Sequence, residues 1–246
     1  MQEQGALGQS SQVKKIVVQQ PQFLPWAGLC YKLLSADIYV TYEAVKFDQS
    51  DHQHRVTVNG AWLTLPVEKG QRNALITDVR LADGFKPGLL KLAATIRQTC
   101  MAKRHKHRDR LDRIVTTLES WDSIWMADLN WALFLEMANV LGLSSGRQLS
   151  RDTKQRHGTA IENLDDCLKG RTQHPMIYLA GGGGLNYMGY DSLTVPVETR
   201  FQKMKDGVSS DSVLQLIATS DNPLEEIKRS AQWMTKEGQC LEWDAS

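Results

Sequence analysis

Residues 14–40 read KKIVVQQPQFLPWAGLCYKLLSADIYV, and this stretch decides the fold class. The β-branched run Ile16, Val17 and Val18 suits a buried strand. Pro21 and Pro25 then prevent a regular element, so QPQFLPWAG is a loop. Leu29, Leu33 and Leu34 follow on helical spacing, and a second strand is expected around Ile38 to Val45. The order strand, loop, helix, strand makes a β-loop-α-β unit. Its loop lies at the carboxyl end of a strand, where open α/β sheets place their ligands.

Working outward, HRVTVNGAWLTLPVE holds two alternating segments separated by Asn59-Gly60, which predicts a β-hairpin over roughly 54–67. A third extended piece near LITDVRLA is expected to join the same sheet. Helical periodicity runs through Leu89, Leu92 and Ile96, then Leu111, Ile114 and Leu118. Residues 121–141 read as an amphipathic helix with Gly142 as its C-cap and with Trp121, Trp125 and Trp131 as packing residues. A short strand near 146–149, a helix from Gly158 to Lys169 and the strand MIYLA follow, the last ending in Gly181 to Gly184. SDSVLQLIATSD and PLEEIKRSAQWM read as terminal helices. The expected fold class is therefore α/β: a mixed β-sheet with flanking helices, an N-terminal β-loop-α-β unit plus a β-hairpin, and a helical C-terminal half. Residues 1–13 are expected to be a flexible leader and 14–246 one domain.

The chain has 246 residues, 41% of them hydrophobic, with 29 Lys plus Arg against 28 Asp plus Glu. That composition belongs to a globular protein and excludes disorder as the main state. No apolar run approaches the ~18 residues of a bilayer span, and the polar start MQEQGALGQSSQ holds no apolar signal core, so no membrane partner and a cytoplasmic location are expected. Cys30, Cys100, Cys167 and Cys240 are widely spaced without a CxxC, which argues against zinc or disulfide scaffolds and reads as small buried thiols. The balanced charge hides an asymmetry: in KRHKHRDRLDR, residues 103–113, six of eleven are Lys or Arg.

Four places carry candidate chemistry. In the first loop, Gln20 and Gln22 offer amides and Phe23 and Trp26 apolar walls between fixed prolines. YEAVKFDQSDHQHR brings Glu43, Lys46, Asp48, His52, His54 and Arg55 close in sequence, enough for a phosphate site with a proton acceptor. His52 and His54 with Asp48 or Asp51 form the only metal-like spacing, and no second pair supports it, so no metal and no organic cofactor are expected. The run AGGGGLNYMGY lacks the features of a P-loop or a dinucleotide fingerprint and fits either a close backbone approach to a ligand or a flexible connection. Lys103, Arg104, Lys106, His107, Arg108 and Arg110 form a patch able to hold a nucleic-acid backbone; a solvated charged face is the alternative.

IVVQQPQFLPWAGLCYKLLSADIYV, then VKF and HRVTVNGAWLTLPVE, and later YLAGGGGLNY and SDSVLQLI, resemble the WbqC-like family. Gln20, Pro21, Phe23, Pro25, Trp26, Gly28, Asp37, Phe47, Arg55 and Gly60 fall on the matching positions. Glu43 stands where the family usually has Asp, Lys46 where it has Gln, and His54 where it has Asn. That family is associated with O-antigen gene clusters and a proposed glycine transferase role, so the resemblance implies a transferase handling a small amino acid and an activated acceptor. Tyr187, in the YLAGGGGLNY segment, is a further substrate-binding candidate. The family tends to carry an aromatic, proline-containing stretch where this chain has AKRHKHRDR, which points to double-stranded DNA as acceptor. The chemistry would be that of phage-type hypermodification: the amine of glycine displaces phosphate from a 5-phosphomethyl pyrimidine flipped out of the duplex. Glu43, Asp48 or His54 would take the amine proton; Arg55, His52 and Lys46 would receive the phosphate; Gln20 and Gln22 would hold the amino acid. The alternatives are a nucleotide-activated or lipid-linked sugar as acceptor, or a binding module without catalysis.

Overall fold

The computed structural model describes residues 13–171, 175–186 and 188–242. The expected leader, apart from Val13, and the candidate Tyr187 lie outside them. Seven strands form the main sheet, in the order β5-β2-β1-β6-β7-β8-β9. They are β1 (Lys14–Gln19), β2 (Ile38–Tyr42), β5 (Gln148–Asp152), β6 (Met176–Ala180), β7 (Val197–Met204), β8 (Ala231–Met234) and β9 (Cys240–Leu241). The first five in that order run parallel, with Val17 opposite Tyr39 and Ile16 opposite Tyr178, and β8 and β9 close the edge antiparallel. β2 and β6 are buried at every position, as strands covered on both faces must be.

The β-loop-α-β unit forms as expected, with α1 at Ala27–Ser35. Its joints are polar. The Lys15 backbone N–H donates to the Asp37 carboxylate at 2.7 Å, and Arg147 donates to the Leu33 and Leu34 carbonyls that end α1. β3 (Arg55–Val58) and β4 (Ala61–Thr64) form the predicted hairpin, and Asn59 and Gly60 both adopt the positive φ that its two-residue turn requires. The hairpin is a separate two-stranded sheet. The piece near LITDVRLA does not add a strand to it: Ile76–Asp78 is a 3-10 turn, and isolated bridges, Lys46 to Leu75, Val67 to Leu81 and Arg80 to Trp125, hold its flanks.

α2 (Lys86–Thr99), α3 (Asp112–Ser120) and α4 (Met126–Val140) bury Leu89, Leu92, Ile96, Ile114, Leu118, Leu129 and Leu133, the apolar stripes read from the sequence. Burying each such side chain is worth about 1.5–3 kcal/mol, which commits these helices to one side of the sheet with α1. α5 (Ala160–Lys169) covers the other side through Leu164, Cys167 and Leu168, against Ile16, Val40 and Tyr178. Two sequence expectations shift. Trp125 is 40% exposed rather than packed, because α4 starts only at Met126; Cys240 is exposed while the other three thiols are buried. The C-terminal half carries α6 (Leu214–Thr219) and α7 (Pro223–Ser230) but also β7 and β8, the latter formed by AQWM directly after α7. No helix among the described residues is long and apolar enough to cross a membrane.

Candidate active site

The chain leaves β1 through α1 to β2 and then β5 on one side, and returns through α5 to β6 on the other side of β1. Neighbouring connections therefore diverge at the carboxyl ends of β1 and β6, which is where a crevice opens in such sheets. A cavity of about 1060 Å³ occupies this place. Gln19, Gln20, Gln22 and Trp26 line it from the first loop, and Leu29 and Lys32 from α1. Tyr42 and Ala44 to Lys46 follow β2, Gln155 to Gly158 lead into α5, and Gly181 to Gly184 follow β6. Gln202 and Met204 belong to β7.

Several close contacts fix this wall. The Trp26 indole folds over Gly28, where any Cβ would come within 2.5 Å of the ring, so glycine is required for the fold-over. The Val213 N–H donates to the Pro25 carbonyl at 3.1 Å and the Phe23 N–H to the His52 carbonyl at 2.9 Å, pinning the loop from both sides. Between these anchors Leu24 is held at φ 45°, a left-handed conformation that costs a non-glycine residue about 1–2 kcal/mol. The Gln202 amide donates to the Gly28 carbonyl at 2.6 Å, joining β7 to α1. A Cβ at Gly182 would stand 2.3 Å from the Gln202 carbonyl oxygen, so the glycine run makes a close backbone approach to β7 as it lines the cavity.

The cavity's electrostatics are one-sided. Its lining includes Lys32, Lys46, Arg156 and His157 and, among the described residues, no Asp or Glu. Arg156 is already compensated: it pairs with Asp152 at 3.0 Å and with Asp166, and its guanidinium lies 5.2 Å from the Tyr42 ring centroid. Lys46 and His157 are exposed at the surface. Lys32 differs from all three. It is 8% exposed, and the hydrogen-bond acceptor on its ammonium is a neutral amide, Gln19 Oε1 at 2.7 Å. Burial pushes its ammonium down to about 8.

Of the sequence candidates, Gln20, Gln22, Trp26 and Lys46 meet at this cavity. Gln20 is engaged by Asp51 and Gln53, whereas Gln22 Oε1 is buried without a hydrogen-bond partner. Phe23 is fully buried in the core, so it offers no face to a ligand. Glu43 is fully buried, and both its oxygens accept from Arg151, at 2.6 and 2.7 Å. It borders a smaller recess of about 410 Å³ with Asp78, Asp128 and Trp125, separated from the large cavity by Leu75 and Gln155, which line both. Burial raises the Glu43 carboxyl, and its hydrogen bond and ion pair with Arg151 oppose the rise. Asp48 is exposed and accepts from the Ser50 hydroxyl and N–H, which hold its carboxyl below the ordinary value. His54 is buried against the edge of Phe47, and burial, then Arg55, lowers its imidazole. His52 and Arg55 stack on the exposed Trp62 of the hairpin, the guanidinium 4.5 Å from the ring centroid. None of these last five lines the large cavity, and no three His, Cys, Asp or Glu side chains come together as a metal site among the described residues.

The basic run lies between α2 and α3, and no residue of it lines the cavity. Lys106 and His107 pair with Asp221, Arg110 donates to the Ile217 and Ser220 carbonyls at the end of α6, and Arg113 pairs with Glu136. Arg108 donates to the Lys103 carbonyl. Lys103 and Arg104 project without a carboxylate partner among the described residues.

Sequence reasoning missed Lys32, His157 and Gln202. The available signal for Lys32 was a single charge inside the apolar helix AGLCYKLLS, one turn after the loop. Residues 20–207 match the model of a family described as the WbqC-like protein family. No curated protein and no solved structure matches the chain.

Proposed function

The chain belongs to the WbqC-like protein family, and we propose that it is a transferase joining a small amino acid to a phosphate-activated acceptor held in the large cavity. The observation that carries this reading is the cavity wall: about 1060 Å³ of space at the sheet's crevice, bordered by cations and amides and, among the described residues, by no carboxylate. Such a wall favours an anionic ligand, and the space holds a nucleotide-sized acceptor together with an amino acid. In the transfer, the amine nitrogen bonds to the acceptor carbon as that carbon's bond to phosphate oxygen breaks. The phosphate-bearing group, a nucleoside diphosphate where the acceptor is a nucleotide sugar, leaves with the electron pair, and the amine gives up a proton. His157 is the proton acceptor on the wall, since Lys32 serves there as a cation and Glu43 is committed to Arg151.

A nucleotide-activated small acceptor fits the enclosed position better than duplex DNA does. DNA would need the basic run at the cavity, whereas Lys106, His107, Arg110 and Arg113 are held by partners on α4, α6 and the residues just after α6. Lys103 and Arg104 are what keep the DNA-directed reading open as a second acceptor class. The deciding experiment pairs two titrations. One follows a nucleoside diphosphate sugar by calorimetry. The other follows a DNA duplex by gel shift across a salt series, with Lys103 and Arg104 changed together to Ser. Saturable nucleotide-sugar binding followed by incorporation of labelled glycine supports the small acceptor. DNA binding that is salt-sensitive and lost in the double variant, without nucleotide binding, replaces it with the polymer.

A further inference from the structure

A buried ammonium beside a neutral amide and an open cavity is an unusual thing to keep in a core. Three buried carboxylates elsewhere are matched by cations: Glu43 by Arg151, Asp152 by Arg156 and Arg171, Asp165 by Lys169. Lys32 alone among the cavity's buried cations has no carboxylate beside it in the described residues, although it sits in the middle of α1, between Tyr31 and Leu33, where an apolar side chain would pack without cost. Gln19 Oε1 orients the ammonium from the end of β1, and Gly181, at the end of β6, gives it room. A Cβ at Gly181 would lie 3.0 Å from Lys32 Nζ and take the space that a ligand atom needs beside it.

We propose that Lys32, set by Gln19 and given clearance by Gly181, anchors an oxyanion subsite on the cavity floor between β1 and β6. The group it binds is a phosphate or a carboxylate, the two oxyanions that a transfer between an amino acid and a phosphate-activated acceptor brings to one cavity. The inference deepens the transferase reading by naming where its anion is held, yet the binding it predicts does not depend on transfer taking place. Lys32 supplies charge and up to two donors beyond the one it gives Gln19, and the partly closed floor keeps water from competing for them.

The test uses the full chain and three probes, inorganic phosphate, pyrophosphate and glycine, titrated by calorimetry into wild type, Lys32→Met and Gly181→Ala. Protein carrying lysine labelled with ¹³C at Cε reports the Lys32 signal directly, assigned by comparison with Lys32→Arg. The expected result is saturable binding of at least one probe, movement of the Lys32 signal on binding, and affinity at least about tenfold weaker in Lys32→Met and in Gly181→Ala. Binding of phosphate or pyrophosphate without glycine assigns the subsite to the acceptor, and the converse assigns it to the amino acid. Unchanged affinity in both variants, a Lys32 signal that does not move, or no binding of any probe overturns the proposal. Transfer that persists in Lys32→Met with unaltered affinity sinks the subsite and leaves the transferase standing. Lys32-dependent binding with no transfer to any acceptor does the reverse.

Discussion

Replacing Lys32 with Met is expected to stabilise the ligand-free protein. The ammonium is buried with a neutral amide as its hydrogen-bond acceptor, and burial lowers it from an ordinary 10.5 to about 8. Each pH unit of that interval is worth about 1.4 kcal/mol, so keeping Lys32 protonated in the folded state costs about 3 kcal/mol. Met restores an apolar chain of similar length, while the lost bond to Gln19 takes back about 1 kcal/mol of the gain. The net expectation is about 2 kcal/mol, or roughly 4–8 °C in Tm for a chain of this size. The sign with pH follows from proton counting. Below pH 8 both folded and unfolded states hold the proton and the cost is fully present. Between about 8 and 10.5 the unfolded state binds more protons, so wild-type stability rises with pH by about 3 kcal/mol and the advantage of the variant vanishes within this range, ending about 1 kcal/mol the other way. Urea unfolding of both proteins from pH 6 to 10.5 measures this. A variant less stable than wild type below pH 8, or an advantage independent of pH, would refute the assignment of Lys32 as an uncompensated buried cation.

Three other substitutions probe the frame around the cavity. Glu43→Gln removes the buried carboxylate of a bidentate pair and leaves the partly exposed Arg151 guanidinium with Asp128 as its one carboxylate partner among the described residues, and should cost about 2 kcal/mol in urea unfolding, as expected of a structural ion pair. Asp152 is a buried carboxylate whose burial would raise it, but hydrogen bonds from Arg156, the Lys154 N–H and Cys167 hold it at about 2. Its stabilisation of about 2 kcal/mol is present above pH 4 and lost as pH falls from about 4 to 2, so Asp152→Asn should flatten the acid limb of the stability profile. Gly28→Ala drives a methyl into the Trp26 indole, and a loss of about 1–3 kcal/mol with a shifted tryptophan emission is expected; unchanged emission would place the indole elsewhere.

What the sequence disclosed, and what it hid, follows the range of the interactions involved. The β-loop-α-β unit and the hairpin rest on local signals, the β-branched run before two prolines and the positive-φ pair Asn59 and Gly60, so they were legible. β7 was not, because VETRFQKM carries polar residues along an internal strand; its Gln202 faces α1 and the cavity rather than apolar core. β8 hid because AQWM continues α7 without a breaker. The partners that define the candidate groups are distant in sequence: Arg151 lies 108 residues from Glu43, and Asp221 lies 114 residues from His107. A cluster such as 42–55 therefore looked like one pocket while its side chains divide between a buried ion pair, a capped turn and the hairpin stack. Lys32 escaped notice for the opposite reason, since a single lysine in a short helix is ordinary until its burial is known.

The central claim, that the acceptor's anion enters the cavity at the β1–β6 crevice, is tested most directly by a hydrogen-exchange footprint at saturating nucleoside diphosphate. The account predicts slowed exchange in segments 19–32, 155–164 and 178–184, which line the cavity, with 103–113 unchanged. Protection confined to 103–113, or none at a ligand concentration shown by calorimetry to saturate the protein, would contradict it.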